Sequence, residues 1–428
     1  MTLFRLFNYG SNLFFNRLFA FIFLSLLSKY LSKDTLGQYF IFMNTQTILT
    51  TLTMVGIPYL ILKELSANKN YKIFNFFTYR IISLCFFLVF FISFIFFILL
   101  NFFYREIPNL NLIFICSVLA SFNFILYYFF VSNDRIILAN LFEQILRYIL
   151  LICFFLSLIF FDYDFQIIDL IFLYIFVNIV ILILFLINLF KQFNFNFKKK
   201  ETNFKYKKYL KYIFLTGFFS IFNVLNHKID LLFIDYFLDK AQVSLYGIGS
   251  QFSLIMTIPF VIFYSVLGPK ISLYLKSGKI IKLNTLLDFY RLILIICSLI
   301  LFLILTLFFE NLVSFFFTAE YLEAHTIVKI LTFTFFIGSF FSFNEMLLNF
   351  TGNEKKVLFS VFLSFLLNAL LNVILVPKYG IIGASLSFAF SNFFFNLSIF
   401  FINFKNNFFF KYVLKILINK KFYLIKKL

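Results

Sequence analysis

Arg17 stands near the middle of an apolar run, in Asn12-Leu13-Phe14-Phe15-Asn16-Arg17. An ionised group at membrane depth costs several kcal/mol unless it pairs or faces water. A guanidinium there suits a phosphate, whose oxygens its planar fork can hold by parallel hydrogen bonds. The alternative is an arginine that snorkels to the nearer surface and carries no such role. The richest polar cluster within an apolar run is Asn223-Val224-Leu225-Asn226-His227-Lys228-Ile229-Asp230-Leu231-Leu232-Phe233-Ile234-Asp235. Lys228, Asp230 and Asp235 cannot share one face of an unbroken helix, so one side of this segment must look into a polar cavity. Lys228 is expected to meet an anion there together with Arg17, with Asn16 and Asn226 as flanking amides. Asp230 and His227 suit proton or cation handling, and a neutralised Lys228–Asp230 pair that merely joins helices is the competing reading.

Glu143 and Arg147 are four residues apart and should pair on one helix face as a structural bridge near the membrane interface. Glu143, Asp230 and Glu345, which follows Asn344, are the candidate ion-coupling carboxylates. His325 has no second histidine near it, and Cys85, Cys116, Cys153 and Cys297 stand singly inside apolar runs. No metal site and no cofactor are expected from that spacing. The G-x4-G-K-[ST] phosphate-cradling loop is absent, which argues against nucleotide hydrolysis by this chain.

These residues need elements that can carry them through lipid. The 428 residues are 63% hydrophobic and 13% charged, with 78 Phe, no Trp and a net charge of +19. A soluble globular domain is nearer half apolar and a quarter charged. Apolar runs fall at about 8–28, 38–62, 80–103, 110–132, 140–161, 167–190, 211–237, 243–267, 286–309, 327–350, 357–376 and 380–402. Hydrocarbon offers no water to unpaired backbone groups, and no run alternates like a barrel strand, so the spans must be helices. The expected fold is an all-α polytopic membrane protein of about twelve transmembrane helices. Met1 to Tyr9 lacks a small-residue cleavage site and should enter a retained first span. Of the 37 Lys and Arg residues, 28 fall on the side of the N-terminus, Arg291 among them, and six on the opposite side. Both termini should therefore be cytoplasmic.

The longest polar break divides the chain into an N-terminal six-helix bundle at 1–190, a basic cytoplasmic linker at 191–210, a C-terminal six-helix bundle at 211–402 and a basic amphipathic tail at 403–428. Tyr30-Leu31-Ser32-Lys33 with Leu36-Gly37-Gln38-Tyr39 echoes Phe237-Leu238-Asp239-Lys240 with Val243-Ser244-Leu245-Tyr246 at a constant offset of 207 residues. That spacing points to two parallel repeats. The tail, with lysines spaced among Phe, Leu and Ile, suits a helix lying on an anionic inner leaflet. Outer loops of about 20 residues leave no room for a folded catalytic domain, which weighs against a polytopic polymerase or glycosyltransferase.

The stretch from Asn368 through Asn372, Pro377, Tyr379, Gly380 and Gly383 to Ala384 resembles the N-x3-N-x4-P-x-Y-G-x2-G-A signature of the polysaccharide transporter family. This family includes the Wzx-type O-antigen flippases, within the superfamily of MATE exporters and the lipid II flippase. Leu36-Gly37-Gln38-Tyr39, Gly56-Ile57-Pro58, Lys228-x-Asp230, Tyr246 and Glu320-Tyr321 agree with it in order. Asp235 stands where Gly is common, and Ser244 replaces a Gly. The resemblance implies two bundles in a V around a central cavity in the bacterial cytoplasmic (inner) membrane. It implies alternating access that moves an undecaprenyl-diphosphate-linked oligosaccharide outward for O-antigen or capsule synthesis, and a transporter, not an enzyme. A polysaccharide polymerase and a chain-length regulator are the implied partners, and no nucleic acid is. A MATE-like cation-coupled exporter of small molecules is the rival, and would want an acidic cavity.

Overall fold

A computed structural model describes residues 2–66, 73–103, 109–133, 135–161, 166–192, 194–196 and 206–404. Apart from residues 403 and 404, the expected tail lies outside the described residues, as does most of the 191–210 linker. The helices are α1 (Thr2–Tyr30), α2 (Lys33–Met54), α3 (Ile57–Ser66), α4 (Phe76–Phe103), α5 (Leu110–Ser132), α6 (Ile136–Asn140), α7 (Arg147–Phe160), α8 (Ile167–Gln192), α9 (Tyr206–Phe237), α10 (Lys240–Leu254), α11 (Thr257–Lys276), α12 (Ile280–Leu307), α13 (Phe309–Phe316), α14 (His325–Phe340), α15 (Asn344–Phe350) and α16 (Glu354–Phe404). One π-helical turn, Leu141–Leu146, joins α6 to α7. A three-residue parallel ladder, β1 (Ile73–Asn75) on β2 (Asn194–Asn196), is the sole sheet among the described residues.

The protein is thus an all-helical polytopic membrane protein. Among the described residues, eight helices are long and apolar enough to cross a bilayer, or up to nine if α2 and α3, bent by 51° about Val55 and Gly56, form one broken span. Rings at Phe87, Phe90, Phe91 and Phe94 of α4 are 51 to 65% exposed. Their i, i+3, i+4, i+7 spacing makes a continuous apolar stripe of the kind lipid covers.

α16 contains the corner between two of the expected spans. Gly380 leaves helical geometry at φ 59°, ψ −140°, three residues after Pro377. A β-carbon on Gly383 would lie 2.2 Å from the Leu375 carbonyl, so the chain doubles closely over itself. Ser364 Oγ donates to the Ser391 carbonyl at 2.8 Å and binds the two halves of α16 together. Asn372 Nδ2 donates to the Asn368 carbonyl at 2.9 Å, and Ala384 is fully buried. The motif residues build this corner.

The chain forms two compact units, one of 12–247 with 316–318 and the other of 248–315, 319–428 and 1–11. The division falls after Gly247 in α10, not in the 191–210 segment, because α9 packs on α2 and α3 within the first unit. The core of that unit is aromatic, with the ring of Phe23 6.0 to 6.4 Å from those of Phe155, Tyr39 and Tyr174. In the other unit Leu267, Ile271, Leu283, Leu287, Leu294, Phe343 and Leu347 form a core where α11, α12 and α15 meet.

Candidate anion site

Hydroxyls and amides inside the spans are satisfied mainly by the helices that bear them. Thr50 and Ser117, for example, donate to the carbonyls four residues earlier at 2.7 Å. Such local bonding costs no partner in a medium without water. Two cations are the exception. Arg17 on α1 is exposed, Lys228 on α9 is half-buried, and Lys228 lies within electrostatic reach of Arg17. Among the described residues no carboxylate comes within ion-pairing distance of either. Their neighbours in the sequence explain why. Asp230 is buried and accepts a hydrogen bond from the Tyr246 hydroxyl at 3.0 Å. Asp235 is taken by Lys240 at the start of α10. The turn between α9 and α10 therefore withdraws both acids from Lys228, and the neutralised Lys228–Asp230 pair does not form.

The amides expected beside the cations are differently placed. Asn16 keeps a buried Oδ1 with no partner among the described residues. Asn226 is buried and bonded. Asn44, which sequence reasoning missed, donates from Nδ2 to the Lys228 carbonyl at 2.9 Å and so ties α2 to α9 at the level of the cation.

Glu143 and Arg147 do meet, as a largely buried pair. Glu143 is 4% exposed on the π turn, more than one helical turn inside the start of α6. Arg147 Nη2 donates both to Glu143 and to Asn178 Oδ1 of α8, the latter at 3.0 Å. Asn123 Nδ2 of α5 donates to the Asn178 carbonyl at 3.0 Å, and Gln46 Nε2 of α2 to Cys116 Sγ at 3.3 Å. Glu143 Oε2 and Arg147 Nε have no partner among the described residues. Tyr148 stands in the field of Arg17, Arg147 and Glu143 together, so this cluster and the cation site are electrostatic neighbours.

The other unit holds a cation that the sequence placed wrongly. Arg291 was counted with the loop lysines, yet it sits 2% exposed inside α12, pairing with Asp288 at 2.8 Å and donating to the Ser342 carbonyl at 3.1 Å. Ser342 belongs to the break between α14 and α15, where Phe343 adopts φ 69°. Asn344 Nδ2 donates to the Phe341 carbonyl and Asn403 Nδ2 to the Asn344 carbonyl, both at 2.9 Å. The Phe341 and Ser342 carbonyls at the break thus each find a side-chain donor. The Asp-x-x-Arg spacing was the available signal, masked by Lys279 and Lys282 just upstream. Glu345 is half-buried in the first turn of α15, within the electrostatic reach of Tyr264. His325 Nε2 lies 2.9 Å from the Thr306 carbonyl, and its ring stacks on Phe309. The described residues contain no group of three His, Cys, Asp or Glu placed to hold a metal ion.

The family model described as polysaccharide biosynthesis protein matches residues 8–274, more than half of the chain. The chain belongs to this family. No curated protein matches its sequence. Among solved structures it is similar to the lipid II flippase MurJ in an inward closed conformation, at 18% identity and a TM-score of 0.65 over 92% of this chain and 86% of that one. A MOP-superfamily transporter from Pyrococcus furiosus, reported with a reversed polarity of its binding pocket, aligns at 13% identity and a TM-score of 0.67 over 94% of both chains. An inward-facing multidrug resistance MATE transporter aligns at 14% identity and 0.67 over 92% of this chain and 94% of that one. At such identities the likeness establishes a fold shared with these transporters and nothing more.

Proposed function

We propose that this member of the family is a flippase that carries an undecaprenyl-diphosphate-linked oligosaccharide from the inner to the outer leaflet of the bacterial cytoplasmic membrane by alternating access. One observation carries the reading: Arg17 and Lys228 repel one another and lack a counter-charge among the described residues. Two like charges held near each other in a low-dielectric span raise the energy of the empty site and lower that of a site filled by an anion. A diphosphate brings the matching charge and acceptor-only oxygens, while the polyprenyl chain stays in lipid. A cation exporter would want the opposite sign. In this reading the chain is not an enzyme, the spans number twelve in two bundles of six, and both termini are cytoplasmic. Asp230, Glu345 and Glu143 are the coupling carboxylates if an ion gradient supplies the energy. A polymerase and a chain-length regulator receive the product.

The test is leaflet transfer of a lipid-diphosphate-linked oligosaccharide in proteoliposomes, with Arg17→Ala and Lys228→Ala beside the unaltered chain. Loss of transfer in correctly inserted variants supports the reading. Export of small cations by the unaltered chain, with no transfer of lipid-linked sugar, overturns it.

A further inference from the structure

α2 runs beside α9 and the start of α10, and at two places it approaches them to backbone distance. Near its beginning Gly37 faces the Lys240 carbonyl, where a β-carbon on the glycine would lie 1.9 Å from the oxygen. One on Gly247 would lie 2.4 Å from the ring of Phe40. Beyond its end the chain turns through positive φ at Val55 and Gly56. A β-carbon on Gly56 would lie 2.3 Å from the Ile213 carbonyl, and one on Gly217 2.5 Å from Val55 Cγ1. Gly37 and Gly56 are nineteen residues apart in the sequence, which at 1.5 Å per residue is about 28 Å. The hydrocarbon layer is about 30 Å thick. The two close approaches are therefore about one hydrocarbon thickness apart. Between them lies Asn44, 1% exposed, bonded to the Lys228 carbonyl and with its own Oδ1 unpartnered among the described residues.

We propose that these two glycine contacts are the gates of the anion site: Gly37–Lys240 with Gly247–Phe40 at one face, and Gly56–Gly217 with Val55 at the other. The proposal rests on the transport reading above. Glycine lets backbone meet backbone, which excludes water without interlocked side chains, so such a contact seals when shut and parts without unpacking a core. With both contacts made, α2 and the Val55–Gly56 turn that follows it are held against α9 and α10 on either side of the level of Lys228. Reaching it requires parting one while the other stays shut, and on the proposed topology Gly37 is at the outer face and Gly217 at the cytoplasmic face.

The test reads access, not transport. With the four cysteines replaced by Ser, Lys228→Cys reports how fast a membrane-impermeant, charged thiol reagent arrives from either side, in right-side-out and inside-out vesicles. Adding Gly37→Val should speed labelling about tenfold or more from the outer side alone, and adding Gly217→Val should do so from the cytoplasmic side alone, since an overfilled contact is driven apart. Acceleration from the same side in both variants, or from neither side in either, overturns the proposal. If the Val variants do not insert, the pairs Phe40→Cys with Gly247→Cys and Val55→Cys with Gly217→Cys keep it testable. Each disulfide should block labelling from its own side and spare the other, and a disulfide that blocks both sides equally or neither overturns it. Side-selective gating in a chain that fails to move lipid-linked sugar would keep the gates and reject that substrate.

Discussion

Arg17 with Lys228 and Arg291 with Asp288 are two answers to one problem, a cation placed well inside a long helix. Of these helices α12 is one that is apolar enough to cross a bilayer, and α1 and α9 are expected spans that are not among the eight. In the second unit the charge is paired, since Arg291 is buried, meets a carboxylate one turn away and spends another N–H on a carbonyl of the α14–α15 break. In the first unit the nearby acids bond elsewhere, to Tyr246 and Lys240, and the cations are left without a counter-ion among the described residues. A paired charge serves the fold. On the proposed reading, a charge whose counter-ions have been drawn away serves a ligand, because its cost is recovered only when an anion arrives.

The contrast predicts opposite responses to the same kind of mutation. Asp288→Ala should be the most damaging, because it strands Arg291 in the core. Breaking a buried pair costs about 3–5 kcal/mol, to be read as a fall in the detergent-solubilised thermal midpoint, with transport lost only through lost protein. Glu143→Gln should cost less, about 1–3 kcal/mol, because Arg147 keeps Asn178. A cost as large as that of Asp288→Ala would mean that the π-turn pair also serves the fold alone. Lys228→Met should leave the midpoint unchanged or raise it while headgroup binding weakens about 10- to 100-fold, the worth of a charge-assisted hydrogen bond. A sharp fall in stability would erase the distinction between the units. Asn44→Ala, which removes one neutral bond to the Lys228 carbonyl, should lower stability by about 1 kcal/mol and shift headgroup affinity by less than Lys228→Met does.

What the sequence made legible follows from range. Apolar runs are local, and the helices fall where the runs do, with the α2–α3 bend at Gly56-Ile57-Pro58 and the α16 corner at Pro377 to Gly380. Arg17 and Lys228 were visible because a charge in an apolar run needs no partner to be noticed. Their setting was not. Asn44 reaches Lys228 across 184 residues, and Arg147 reaches Asn178 across 31. Arg291 was counted with the nearby Lys279 and Lys282 although it falls within the expected run at 286–309, and α12, which begins at Ile280, places three turns of helix before it. The compact units divide at Gly247 and not at the basic segment because polarity marks where the chain leaves lipid, not which helices pack together.

The π turn at Leu141–Leu146 has a bearing on how this chain could have arisen. Such a turn holds one residue more than an α-helix spanning the same height, the mark left when an insertion is absorbed without shifting the flanking helices. Removing a single residue of 141–146 other than Glu143 would rejoin α6 and α7 as one uninterrupted α-helix, with Glu143 and Arg147 three or four residues apart and still on one face. An ancestor without that insertion would therefore have had the same acid beside Arg147, and the gain of one amino acid would have widened the helix at Glu143 without separating the pair.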